Sequence, residues 1–296
     1  MENIFVKISI AIALLLCVSV VLVACTKKGE NHKTAPIAAI DKWGLAEGDW
    51  ENLGATEILA KARAAARFDE FLSAAQNQDV TAMLLTALAF EHGTGTTQNV
   101  NEAADWYRKA ADLGNTIAMV NLGTMQAEGR GFAKNQIIAA RWFHDAANAG
   151  NTQGMLYFGA MLANGKGVAK DNVAAVGWFR KASEAGNPSA MVILGNALAT
   201  GVGAAKNEAE AATWFRRAAT KGDGFGMFQL GNLLANGADI ARNPSEATKE
   251  WQDNEAKHWW RAAAAQGGNA AVDAVNALQT VYGIKCVADG NGYRCE

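Results

Sequence analysis

The chain has 296 residues, half of them apolar and 19% charged, with 30 glycines against 3 prolines. A formal net charge of −2 excludes a nucleic-acid binder that works by bulk electrostatics. So small a charge on so apolar a chain also excludes disorder. Glycine this abundant beside so little proline fits neither a collagen-like chain nor a flexible linker. It predicts helices packed through small residues, with regular stops.

The first predicted element is an export segment over residues 1–24. Ile8 to Ala24 form a nearly unbroken apolar run behind Lys7, and the run ends at Leu22-Val23-Ala24-Cys25 before polar Thr26, Lys27 and Lys28. This resembles the lipobox of bacterial lipoproteins, in which the cysteine carries the lipid and becomes the mature N-terminus. An uncleaved signal anchor is the alternative, since the run sits at the lower margin for a spanning helix. Lipidation of Cys25 with several acyl chains, palmitate among them, would anchor the chain stably, because two chains suffice. In enteric bacteria Asp after the cysteine retains a lipoprotein in the inner membrane, so Thr26 implies the outer membrane, facing the periplasm. Residues 25–53 are polar and unpatterned and read as a tether.

Residues 54–78 predict an N-terminal capping helix, because Phe71 and Ala74-Ala75 stand 36 residues before Tyr107 and Ala110-Ala111. From there the chain repeats. Trp106, Trp142, Trp178 and Trp214 recur every 36 residues, each followed by an aromatic, and a fifth unit reaches Trp259-Trp260 after 45. Gly114, Gly150, Gly186 and Gly222 share the interval, each followed by Asn or Asp. Such a residue after glycine is a good N-cap, and Pro188 suits the first helical position. Each unit therefore reads as two helices. The first ends at glycine near Glu128, Asn164 or Thr200, and the second starts at Asn135, Asp171 or Asn207 and carries the Trp-aromatic pair.

The pattern, quoted from the second unit, is Ala118-Met119-Val120-Asn121-Leu122-Gly123, then Gly129-Arg130-Gly131, then Trp142-Phe143-His144-Asp145-Ala146-Ala147. It resembles the Sel-one-like repeat (SLR) family, relatives of the tetratricopeptide repeats. The resemblance covers residues 79–267 as five units: 79–114, 115–150, 151–186, 187–222 and 223–267. The first departs from it with Thr86-Ala87 for Leu-Gly, and the fifth has Asp239 for the second loop glycine. The fold class expected is all-α, a superhelical α/α solenoid, and irregular end units suit a stack whose ends face water. Residues 268–296 predict a closing helix and then a hairpin. Cys286 and Cys295 flank Asp289-Gly290-Asn291-Gly292, a strong turn signal, and a disulfide between them suits an oxidising compartment.

Trp106, Trp142, Trp178, Trp214 and Trp259 recur in every unit and so read as repeat core. Function should lie where the repeats differ. Positions 117, 121, 124 and 128, with their equivalents, vary most, and their spacing puts them on one helical stripe. From that stripe Asn121, Tyr157, Ile193, Asn196, Phe225, Gln229 and Asn232 are the candidate partner-binding residues. The alternative is a merely solvated face. The stretch from Pro244 to His258 is either a recognition edge around Trp251, Lys249, Lys257 and His258, or a second helix longer by about two and a half turns.

Enzymatic signals are thin. The four histidines lack metal-ligand spacing, there is no Gly-x-Ser-x-Gly elbow, and the Gly-x-Gly pairs are helix stops rather than phosphate loops. No catalytic residue, metal, cofactor, small-molecule substrate or nucleic-acid partner is expected. The resemblance implies first helices lining a concave face and a non-enzymatic scaffold or adaptor that binds a protein or peptide. A cysteine-rich branch of the family, associated with β-lactam binding, pairs cysteines within each repeat, and those are absent here. A rival implication is an immunity protein neutralising a secreted periplasm-acting toxin such as a lipase.

Overall fold

The computed structural model describes residues 57–58, 68–236 and 249–296; the signal, lipobox and tether readings lie outside them. The described residues form twelve helices and one β-hairpin. Up to Asp145 they belong to one compact unit, and from Ala146 onward to a second. The helices are α1 (Phe68–Gln76), α2 (Val80–His92), α3 (Val100–Asp112), α4 (Thr116–Glu128), α5 (Gln136–Asn148), α6 (Thr152–Asn164), α7 (Asn172–Glu184), α8 (Pro188–Thr200), α9 (Glu208–Thr220), α10 (Gly224–Ala235), α11 (Lys249–Gln266) and α12 (Asn269–Tyr282). Strands β1 (Cys286–Asp289) and β2 (Gly292–Cys295) follow. No helix among the described residues is long and apolar enough to cross a membrane.

The caps fall where the sequence pattern puts them. Asp79, Asn115, Asn151, Asn187 and Asp223 each accept a hydrogen bond from the backbone N–H three residues on, at 2.8–3.0 Å, which satisfies an otherwise orphaned donor. Gly93, Gly129, Gly165 and Gly201 end the first helices in the left-handed region, which glycine enters without a Cβ penalty. Asn99, Asp171 and Asn207 cap α3, α7 and α9. Asn135 does the same for α5, accepting from the N–H groups of Ile137 and Ile138.

Packing inside each hairpin explains the Leu-Gly motif. Gly123, Gly159, Gly195 and Gly231 lie against Phe143, Phe179, Phe215 and Trp260, so closely that a Cβ would stand 2.5–2.6 Å from ring carbons. Real Cβ atoms do not approach so near, and only a residue without one lets the ring seat. The buried aromatic is thus the second of each pair: Tyr107, Phe143, Phe179, Phe215 and Trp260 are all almost fully covered. Of the first tryptophans, Trp106 and Trp214 are each 6% exposed. Trp142, Trp178 and Trp259 are only half-buried. Their indoles form the hairpin's flank, and on Trp106, Trp178 and Trp214 a cation from the next helical turn covers one ring face. Lys109 Nζ stands 3.7 Å from the Trp106 centroid, Lys181 Nζ 4.1 Å from that of Trp178 and Arg217 Cζ 4.6 Å from that of Trp214.

The fifth hairpin also departs from expectation. Helix α11 has 18 residues where α9 has 13, so the insertion lengthens the helix by five residues rather than nine. The side chains of Lys249 and Trp251 lie outside the described set. Lys257 covers the Tyr282 ring at 4.5 Å, and the Tyr282 hydroxyl donates to Asp253 at 2.8 Å. That end of α11 is therefore occupied in holding α12.

At the C-terminus β1 pairs antiparallel with β2 in the register Cys286↔Cys295 to Asp289↔Gly292, and the disulfide Cys286–Cys295 closes the ladder. Ile284, Tyr293 and both cysteines pack on the cluster of Trp260, Ala264, Ala274 and Leu278. The hairpin covers the end of the α11–α12 pair.

Candidate partner-binding face

All seven stripe residues are half-buried, placed neither in the core nor fully in solvent. Asn121 belongs to the first compact unit and the other six to the second. The two units use the stripe differently.

In the first unit the polar groups close on themselves. Tyr107, which stands where the later repeats carry phenylalanine, is fully buried and donates its hydroxyl to Glu91 Oε2 at 2.5 Å. Glu91 Oε1 accepts from Arg130 at 2.6 Å, and Arg130 also reaches Glu128 at 2.6 Å. Asn121 stands beside the same phenol. Burial, reinforced by the adjacent Glu91 carboxylate, pushes the Tyr107 pKa well above its ordinary value. Burial opposes the charge on Arg130, but hydrogen bonds to Glu91 and Glu128 outweigh it and raise that pKa. Asn121 therefore borders an internal network of Tyr107, Glu91, Arg130 and Glu128.

In the second unit the stripe is neutral. Asn196 on α8 and Gln229 on α10 are joined by a 2.6 Å bond from Gln229 Nε2 to Asn196 Oδ1. Asn232 Nδ2 donates in turn to Gln229 Oε1 at 3.0 Å. Three amides thus form a chain across two helices that touch directly. Ile193 lies one turn before Asn196 on the same face, and Phe225 one turn before Gln229. Thr200 Oγ1 turns back to the Asn196 carbonyl at 2.8 Å, which removes that hydroxyl from the open surface. Tyr157 stands at the same register on α6.

The second helices are tied across repeats by charge. Arg180 donates to Glu210 Oε1 at 2.6 Å, and the Trp214 indole N–H reaches the same oxygen at 3.3 Å. The hydrogen bond from Arg180 holds the Glu210 carboxyl below its usual range. This pair is a flank brace, invisible to a reading that aligned only first helices. The sequence signal that exposes it is Arg180 set 30 residues before Glu210, which itself precedes Trp214 by one turn. No group of His, Cys, Asp and Glu able to hold a metal ion occurs among the described residues.

The Sel1 repeat profile matches residues 80–115, 116–151, 153–187, 188–223 and 224–268. The chain belongs to the Sel1 repeat family. Its Sel1 units start one residue after the periodicity's own bounds in four cases, and two residues after in the third. Among solved structures the chain is similar to a Sel1 repeat protein from Oxalobacter formigenes, at 30% identity over 69% of this chain and 78% of that one, with a TM-score of 0.59. It is similar also to a protective antigen of uropathogenic Escherichia coli with an SLR fold, at 30% identity over 74% of this chain and 53% of that one, TM-score 0.56. An immunity protein from Pseudomonas aeruginosa matches at 21% identity over 68% of each chain, with a TM-score of 0.43. No curated protein matches. As a tandem Sel1 array, the chain is a scaffold suited to protein–protein interaction.

Proposed function

We propose that this Sel1 protein is a non-catalytic adaptor, lipid-anchored through Cys25 and facing the periplasm, that holds a protein partner on the first-helix face of its second unit. The observation that carries the reading is the contrast along the stripe. Repeats of this unit that keep an apolar residue at the leucine and second-aromatic packing positions change chemical type at Tyr157, Ile193, Asn196, Phe225, Gln229 and Asn232, and these residues remain half-open while the core around them is closed. Polar and aromatic groups left open on a rigid helical scaffold are the usual material of a recognition surface.

Photo-crosslinking in the intact cell tests the binding face. A photoreactive residue at 193 is expected to trap partner protein, whereas the same residue at the exposed Val173 on α7 should trap none. Several partners would mark an adaptor, and one stoichiometric partner an immunity protein. Equal trapping at both positions would contradict the proposed face. The anchor has its own check: incorporation of labelled palmitate should vanish in Cys25→Ser.

A further inference from the structure

We infer that the amide chain Asn196–Gln229–Asn232 reads the main chain of an extended, uncharged peptide segment of the partner. This inference rests on the adaptor reading and specifies its mode. The chain has two unlike ends. At one end Asn196 Oδ1 accepts from Gln229 while both N–H groups of Nδ2 stay unpaired; at the other Asn232 Nδ2 donates one N–H to Gln229 while its Oδ1 accepts nothing. Among the described residues neither end atom has a protein partner.

A donor group open at one end and an acceptor open at the other match the carbonyl and N–H of a peptide unit, which every residue except proline offers. A helical ligand would not satisfy these ends, because its own ladder consumes its main-chain groups. A carboxylate or phosphate would ask for donors alone and would leave the Asn232 Oδ1 acceptor unanswered.

The surroundings set the side-chain preference. Ile193 and Phe225 flank the amides with apolar surface, and no Lys, Arg, Asp or Glu stands on the stripe of α6, α8 or α10. Alternate side chains of an extended segment fall on one side, so an apolar residue in every second position would lie towards Ile193 and Phe225. Asn196 and Asn232 occupy the position held by Thr124 and Ala160 in the second and third repeats. The amide chain is therefore a property of this protein's fourth and fifth repeats and not of the repeat pattern.

The test uses the soluble form of the full chain beginning after Cys25, with an array of synthetic twelve-residue peptides as probe. The strongest binders are expected to be uncharged and alternately apolar, with affinities that change less than about twofold between 50 and 500 mM salt. In the best binder, N-methylation of one peptide bond should weaken binding at least tenfold, while exchanging that residue's side chain for a similar one costs less than threefold. Asn196→Leu, Gln229→Leu and Asn232→Leu should each weaken binding at least tenfold, and N-methylation should then have no further effect. Because these side chains are half-exposed, melting curves should confirm that the variants fold. Two results overturn the inference: no peptide bound above background, or peptides bound with no sensitivity to N-methylation or to the leucine variants. If the crosslinked partner is held through Ile193 while N-methylation is without effect, the adaptor reading stands and the main-chain mode falls.

Discussion

The first and second compact units repeat the same hairpin but place their exceptions on opposite sides of it. In the first unit the departures are internal. Tyr107 stands for phenylalanine, Thr86 for the leucine of Leu122, Leu194 and Leu230, and Gln126 for the leucine of Leu162, Leu198 and Leu234; all three are buried. In the second unit those positions are apolar, Phe158 standing at the register of Thr86, and the departures lie on the open first-helix face as Asn196, Gln229 and Asn232. A polar group inside can find a partner only within the fold, as Tyr107 does in Glu91, whereas Thr86 Oγ1 and Gln126 Oε1 find none. One on the open face can stop half-paired, because water satisfies it until a ligand does. The same repeat can thus lock itself in one place and present a surface in another.

The largest expected effect concerns what counts as interior. Phe179→Ala removes a ring that is 2% exposed and should destabilise by about 3–5 kcal/mol. Trp178→Ala, on the flank beside it, should cost about 1–3 kcal/mol despite the larger side chain, since its burial is partial. Urea melts that reverse this order would show that the flank, not the second aromatic, holds the hairpin.

Next is the internal network of the first unit. Glu91→Ala leaves the Tyr107 hydroxyl buried without its acceptor and Arg130 without one of its two carboxylate partners, and should cost about 2–4 kcal/mol. Tyr107→Phe, which restores the residue of the later repeats, should cost at most about 1 kcal/mol. Equal losses in denaturant titration would mean that the phenol is the essential member.

Gln126 is a smaller test of the same contrast and has the opposite sign. Its Oε1 is buried without a hydrogen-bond partner, so Gln126→Leu should stabilise the protein by about 1 kcal/mol. A loss of stability would give that oxygen a structural role.

The smallest effect distinguishes caps. Asn serves three of the five first helices, but α10 is capped by Asp223, whose carboxyl burial raises above its ordinary value of 3.8. As pH rises, the unfolded chain gives up this proton first. The contribution to stability is therefore complete below the unfolded pKa and is lost as pH climbs through the folded one. Asp223→Asn should be neutral near pH 3 and stabilising by a few tenths of a kcal/mol at pH 7. A gain that is independent of pH would refute the titration argument.

The repeat, its helix stops and its caps were legible in the sequence because each has a local chemical cause. Asn or Asp after glycine satisfies an orphan N–H, glycine adopts positive φ, and a 36-residue interval repeats both. The disulfide hairpin was legible for the same reason, since Asp289-Gly290-Asn291-Gly292 specifies a turn between two cysteines. Relative depth was not legible, because Trp178 and Phe179 are adjacent aromatics and only the facing glycine, Gly159, decides which ring seats. Nor was the fate of Asn121 on the stripe. Its position is equivalent to that of Gln229, but it stands beside a phenol contributed by the preceding repeat. The length of α11 was misjudged because an insertion size counts residues without saying which of them extend the helix. The amide chain itself depends on a contact between residues 33 apart, which no periodicity reports.

The central claim is that the open amides serve binding and not stability. Titration calorimetry of the tightest array peptide against wild type and the Asn196→Leu/Gln229→Leu/Asn232→Leu triple variant tests it most directly, with thermal unfolding of both proteins alongside. The account predicts that affinity falls at least a hundredfold while the melting temperature moves by no more than about 3 °C. Unchanged affinity, or a melting temperature that collapses with it, would contradict the account.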